Sequence, residues 1–215
     1  MTNEYHLPDK LSPKGAIIDV GTHIGGFADA CLKRGARKIY CYEALKENYI
    51  VAKSNLEAEI RNGFVKLHNL AVWVSGEGSP KALPFTNSSV PQNTGGGGVI
   101  FKGEFSPVCA IGLDEIINSI GKIKLLKLDC EGSEYPILFT SKNLFLVDYI
   151  CGEYHETSMD NFSIENKTFF NRQDLSAFLK VKDFTSIFIE RSGGIGLFFA
   201  KKKELTDNFF KEIEF

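Results

Sequence analysis

Neither sign of charge dominates this 215-residue chain: 25 lysines and arginines face 27 aspartates and glutamates, for a formal net charge of −2. Without a broad positive field, a nucleic-acid substrate held through its phosphates is disfavoured. No apolar run reaches membrane-spanning length, and Met1-Thr2-Asn3-Glu4-Tyr5-His6 lacks a basic-then-apolar leader, so the expectation is a cytoplasmic protein with no membrane partner. Cysteine is sparse and unpatterned. Cys31, Cys41, Cys109, Cys130 and Cys151 form an odd set with no C-x-x-C pair, which argues against a disulfide framework or a zinc site and for reduced core thiols. Internal repeats and composition breaks are absent too. The length then suits one α/β domain over 1–215, with 1–14 as an N-terminal extension.

What the chain does have is the stretch Ile17-Ile18-Asp19-Val20-Gly21-Thr22-His23-Ile24-Gly25-Gly26-Phe27. An apolar β-branched run that meets an acid, then closely spaced glycines, then a helical pattern reads as strand, tight turn and helix, an arrangement that holds nucleotide-type cofactors. Free N–H groups at the helix start suit a phosphate or a carboxylate. Gly21 is followed by three non-glycines before Gly25, so the G-x-G-x-x-G dinucleotide fingerprint is not met and NAD is disfavoured.

Further segments extend the pattern. Arg37 to Glu43 reads as a second strand, and Glu43 lies 22 positions after Gly21, near the roughly 20-residue offset at which an acid meets ribose hydroxyls. Between them Phe27, Ala30, Cys31 and Leu32 recur at helical spacing, with Lys33-Arg34 and Gly35 as a cationic end and a stop. Phe64 to Val72 is expected as a third strand, Lys124 to Asp129 as a fourth and Asp148 to Glu153 as a fifth. Open parallel sheets bind ligands at the carboxyl ends of their strands, where Glu43, Asp129 and Glu153 gather.

The segments IIDVGTHIGGFA, YCYEALKENY, NLAVWV, LDEII, LLKLDCEGSEYPIL and GEYH, in this order over about residues 15 to 157, resemble the FkbM family of class I S-adenosylmethionine-dependent methyltransferases. Thr22-His23 stands where the family more usually has Ala-Asn, and Tyr42-Glu43-Ala44 where it has Phe-Glu-Pro. The resemblance implies a Rossmann-like fold, a seven-stranded mostly parallel sheet with an antiparallel C-terminal hairpin and helices on both faces. It implies S-adenosylmethionine as cofactor, bound by Asp19, Gly21, Thr22, His23, Ile24, Gly25, Glu43, Asn69, Ala71 and Asp129. The acceptor it implies is a hydroxyl on a sugar or secondary metabolite, small molecule or glycan.

For the chemistry, strand alternation sends Glu153 and His155 to one side and Tyr154 to the other. Methyl transfer to a hydroxyl needs that proton removed, and a neutral histidine can accept it, so His155 is the expected general base, with Glu131 and Glu153 beside it. Glu134 reads better as a carboxylate stabilising a helix N-terminus. Asp129, Glu131, Glu153 and His155 could also meet a divalent cation, although no spacing rule demands one. Two other readings stay open, a cofactor-binding module without catalysis and a nucleotide-dependent oxidoreductase.

Residues 75–109 are rich in turn formers, include Gly95-Gly96-Gly97-Gly98 and are long for a connection, which reads as a flap or a surface loop with a short strand near Ala82 to Phe85. Asn171 begins a helical pattern, and Phe184 to Glu190 followed by Ser192-Gly193-Gly194 and Ile195 to Ala200 is a hairpin signal. Phe162, Phe169 and Phe170 could line an apolar acceptor pocket.

Overall fold

The structure, a computed structural model, describes residues 3–86, 98–99, 106–159 and 162–215. Chain order begins with β1 (Ala16–Val20), α1 (Gly26–Lys33), β2 (Ile39–Tyr42), α2 (Lys46–Asn55), α3 (Glu57–Arg61) and β3 (Val65–His68). Four strands of a separate sheet follow: β4 (Ala71–Trp73), β5 (Ala82–Thr86), β6 (Gly98–Val99) and β7 (Ser106–Gly112). Next come α4 (Leu113–Ile120), β8 (Ile123–Leu128), α5 (Glu134–Thr140) and β9 (Val147–His155). The short pair β10 (Thr157–Ser158) and β11 (Phe169–Phe170), then α6 (Arg172–Val181), β12 (Phe184–Ser192) and β13 (Ile195–Lys202), complete the order.

The main sheet runs β12-β13-β9-β8-β1-β2-β3. Its five strands from β9 to β3 are parallel, and β13 is antiparallel to both neighbours, which is the mostly parallel seven-stranded sheet with a C-terminal hairpin that the resemblance implies. The hairpin turns at Gly193 and Gly194, whose φ values of 62° and 77° are those of the tight turn that matches strand twist.

Alternation along the strands feeds two cores. Ile18, Leu126, Leu128 and Ile150 pack against Ile116 and Ile117 of α4, Leu138 of α5 and Leu175 of α6. Ile17, Leu125, Cys151 and Phe199 face the other way, toward Ala28 and Cys31 of α1 and toward Tyr5, Leu7 and Leu11 of the N-terminal segment. Helices therefore cover both faces, as parallel strands buried on both sides require. α6 begins on Asn171, whose Oδ1 accepts from the Gln173 and Asp174 N–H groups while Asp174 Oδ2 accepts from Asn171 N, a reciprocal cap that stabilises the end by about 1 kcal/mol.

The single third strand expected over Phe64 to Val72 is instead two. β3 pairs with β2, whereas β4 leaves to pair with β7. Asn69 sits at the break, its Nδ2 donating to the carbonyls of Glu43 and Ala44 at 2.9 Å each, and these side-chain bonds replace the ladder bonds of a continuous strand. The strand expected near Ala82 is present as β5. Gly95 to Gly97, and with them residues 87–97 and 100–105 of the flap read onto the 75–109 loop, lie outside the described residues. All five cysteines are unpaired; Cys31, Cys41 and Cys151 are buried, but Cys109 is exposed rather than core. Among the described residues no helix is long and apolar enough to cross a membrane.

Candidate functional site

β1 and β8 are adjacent and in register, so Asp19 stands opposite Lys127. Both side chains are buried, and they meet at 3.2 Å. Burial pushes the Asp19 carboxyl up against the pull of Lys127, while Asp19 and Asp129 outweigh burial to keep the Lys127 ammonium protonated above its ordinary range. Lys127 Nζ also donates to the Gly21 carbonyl at 2.7 Å and the Val20 carbonyl at 3.3 Å. A single buried cation thus ties the end of β1 to the end of β8.

The loop that follows approaches β8 closely. Gly21 has φ +74°, and a Cβ there would stand 1.8 Å from the Asp129 carbonyl oxygen, so no larger residue fits. Thr22 Oγ1 donates to the Asp19 carbonyl at 3.1 Å, and the N–H groups of Gly21 and Thr22 both donate to the Tyr42 carbonyl. His23, at φ +53°, gives its N–H to Glu43 Oε2 at 2.7 Å, while Glu43 Oε1 accepts from Leu45 N at 2.9 Å. Burial raises the Glu43 carboxyl, and these two N–H groups oppose that rise.

Asp129 completes this side. Its Oδ2 accepts from the Tyr5 hydroxyl at 2.7 Å and lies 3.7 Å from Lys127 Nζ. Burial works against its charge, but Lys127 and Tyr5 hold the carboxyl below the ordinary range. A cleft of about 380 Å³ runs beside Gly21, His23, Phe27, Lys127, Asp129 and Tyr5.

The second group surrounds His155 at the end of β9. Its Nε2 lies 3.4 Å from Glu131 Oε2 and 3.5 Å from Glu153 Oε2, and its Nδ1 lies 3.6 Å from Glu134 Oε1. Glu134, fully buried in the first turn of α5, accepts from Cys130 N at 2.8 Å and also faces the histidine. Glu131 has φ +54°, a left-handed conformation rarely held by a non-glycine unless its surroundings impose it. Burial disfavours the charged ring, but the adjacent carboxylates outweigh it and push the His155 pKa up to about 10. The sequence predicts a neutral ring at pH 7, whereas the surrounding acids favour its protonated form.

A profile described as the methyltransferase FkbM domain matches residues 19–194. The chain belongs to the FkbM methyltransferase family. Among solved structures this FkbM domain is similar to methyltransferase FkbM from Methylobacillus flagellatus KT, at 14% identity and a TM-score of 0.52 over 88% of this chain and 44% of that one. It is also similar to a protein of the NADB-Rossmann superfamily from Streptococcus agalactiae, at 13% identity and a TM-score of 0.51 over 90% of this chain and 64% of that one. A third is precorrin-6y C5,15-methyltransferase from Geobacter metallireducens GS-15, at 10% identity and a TM-score of 0.50 over 93% of this chain and 84% of that one. At these identities the likeness is one of fold, and the chain spans under half of the first structure and under two thirds of the second. No curated protein matches the chain.

In this FkbM domain Asp19, Gly21, Thr22, His23, Glu43 and Asp129 come together at one edge of the sheet, and Ile24 is exposed beside them. Gly25 forms the start of α1. Asn69 bonds to the Glu43 and Ala44 carbonyls, and Ala71 is buried with Trp73 and Leu83. Glu131, Glu153 and His155 form the second cluster, while Asp129 belongs to the first. Among the described residues no group of three or more His, Cys, Asp or Glu is arranged to hold a metal ion. Phe162 and Phe170 pack together, and Phe170 lines an apolar groove with Phe139 and Phe178 against the outer side of α5 and α6. Sequence reasoning missed Lys127, Tyr5 and Arg191, of which only Lys127 carried a signal, as a cation inside an otherwise apolar central strand.

Proposed function

We propose that this domain transfers the methyl group of S-adenosylmethionine to a hydroxyl oxygen of a sugar or secondary metabolite. The observation that carries this reading is the convergence of Asp19, Gly21, Glu43 and Asp129 at the carboxyl edge of the parallel sheet in an FkbM domain. The donor fits these groups chemically. Its ammonium and ribose hydroxyls seek carboxylates, and its carboxylate seeks the free N–H groups where α1 begins.

When bound, S-adenosylmethionine supplies an electrophilic methyl group on a sulfonium. Asp129, kept ionised by Lys127, presents negative charge to the donor's cationic end, and Glu43 offers its remaining lone pairs to the ribose. Across the crevice the acceptor hydroxyl must lose its proton as its oxygen attacks. The carboxylates around His155 favour its protonated ring, which makes it a poor proton acceptor. Glu131, the most exposed of the three acids around the ring at 34% and raised by burial, receives it instead. The imidazolium then orients Glu131 and Glu153 and offsets their mutual repulsion.

Calorimetric titration with S-adenosylmethionine, S-adenosylhomocysteine and NAD tests the donor, with binding of the first two and not the third as the expected result. Binding of NAD alone would return the protein to the oxidoreductase reading. Once an acceptor is known, Glu131→Gln should lower turnover about 10²–10⁴-fold with donor affinity kept.

A further inference from the structure

Asn3, Glu4, Tyr5 and Leu7 form one wall of the donor cleft. Terminal segments are poorly ordered unless tied down, and this one is tied at several points. Asn3 Nδ2 donates to the Leu7 carbonyl at 2.8 Å and Asn3 Oδ1 accepts from Leu7 N at 2.9 Å, closing a turn. Tyr5 and Leu7 are buried in the core beneath α1, and the Tyr5 ring stands edge-on to Phe27 at 5.4 Å.

Two neighbouring side chains of this turn reach different parts of the site. Tyr5 gives its hydroxyl to Asp129 Oδ2 at 2.7 Å, a charge-assisted bond across 124 positions of sequence. Glu4 accepts from Arg191 Nη2 at 2.5 Å, and Arg191 Nη1 donates to Glu153 Oε1 at 2.9 Å, while Oε2 of the same Glu153 faces His155. The segment is thereby pinned between the donor acid and the cluster around the histidine.

Anchoring alone would need only the ring. A phenylalanine at position 5 would fill the same volume and keep the edge contact with Phe27, so what the tyrosine adds is a donor aimed at one oxygen of Asp129. Lys127 approaches that same oxygen, and the Asp129 side chain stays one-third exposed. We infer that Tyr5 is a positioning residue of the donor site, its hydroxyl fixing the Asp129 carboxylate for the donor's cationic end, and that the Glu4–Arg191 link holds the segment in place. This inference rests on the donor assignment above.

Titration with S-adenosylhomocysteine from pH 3 to 8, on the wild type, Tyr5→Phe and Leu11→Ala, tests it. The groups that act on Asp129 are Lys127 on β8, Asp19 on β1, His23 in the glycine turn, Glu131 beyond β8 and His155 on β9, all unchanged in Tyr5→Phe. Loss of the hydroxyl should weaken binding about tenfold and move the acidic limb of the affinity profile to higher pH, since the carboxylate loses a donor that stabilises its charge. Leu11→Ala removes core packing from the same stretch without touching Asp129, so it should lower Tm and leave affinity and pH profile as in the wild type. Wild-type affinity and profile in Tyr5→Phe, or equal effects in the two variants, would overturn the positioning role. Failure of the wild type itself to bind would overturn the donor assignment, and Tyr5's role with it.

Discussion

Replacing Lys127 with methionine keeps most of the side-chain volume and removes the charge between Asp19 and Asp129. Asp19 is fully buried and then has no cation beside it, and the carbonyls of Val20 and Gly21 lose their donor. Breaking a buried pair by removing one partner costs about 3–5 kcal/mol, because the surviving charge stays desolvated. For a domain of this length that corresponds to a fall in Tm of about 6–20 °C. A pH dependence follows. Without Lys127 the Asp19 pKa in the folded state lies above its unfolded value, so the folded form binds the extra proton and is favoured on acidification. The deficit relative to wild type should therefore shrink as pH falls from 8 toward 5. Denaturant melts at several pH values measure it, and adding Asp19→Asn to Lys127→Met should cost far less than the sum of the single changes. A deficit below about 1 kcal/mol, or one that does not vary with pH, would refute the account of Lys127 as the tie between β1 and β8.

Glu43→Ala should weaken S-adenosylhomocysteine binding by about 1–3 kcal/mol in calorimetric titration, and unchanged affinity would remove Glu43 from the site. His155 should titrate by NMR near 10, and because that value lies above the unfolded one of about 6.5, the stability it contributes is full below 6.5 and lost as pH rises toward 10. An inflection near 6.5 would discard the three-carboxylate account and restore a neutral base. Gly21→Ala carries about 1–3 kcal/mol of backbone strain before the clash with the Asp129 carbonyl is counted, and a wild-type melting curve would contradict the close approach of the two loops.

The parts of the fold that could be read from the sequence are those decided locally. Ile17, Ile18 and Val20 around Asp19, and Leu125, Leu126 and Leu128 around Lys127, are short β-branched or leucine-rich runs that a buried strand explains, and Gly193-Gly194 between Phe-rich runs prescribes its own turn. Asp19, Glu43 and Asp129 were legible as acids at strand ends. The break at Asn69 was not, because an apolar run flanks it and the bonds that stop the strand go to carbonyls more than twenty positions away. Lys127 stood out only as a cation in an apolar strand, and its partner Asp19 is set by the register between β1 and β8. Tyr5 and Arg191 owe their places to contacts 124 and 38 positions long. The charge on His155 was hidden for the same reason, since it depends on Glu131 and Glu134 arriving from another strand's loop.

β13 follows β12 in the chain but lies inside it, with β12 attached to the sheet only through β13's hydrogen bonds. As the chain leaves the ribosome, the parallel strands β1, β2, β3, β8 and β9 can assemble in order, while the outer edge of β9, which carries Glu153 and His155, waits for a strand not yet made. At about 5–20 residues per second that wait lasts a few seconds. During it the edge that carries Asp19, Glu43 and Asp129 has all its parallel strands, while β9 lacks one neighbour. Any break in synthesis or cut in the chain before Ile195 therefore leaves β9, with Glu153 and His155, as an open sheet edge, and leaves Tyr5 and Leu7 without Leu197 and Phe199 to pack on.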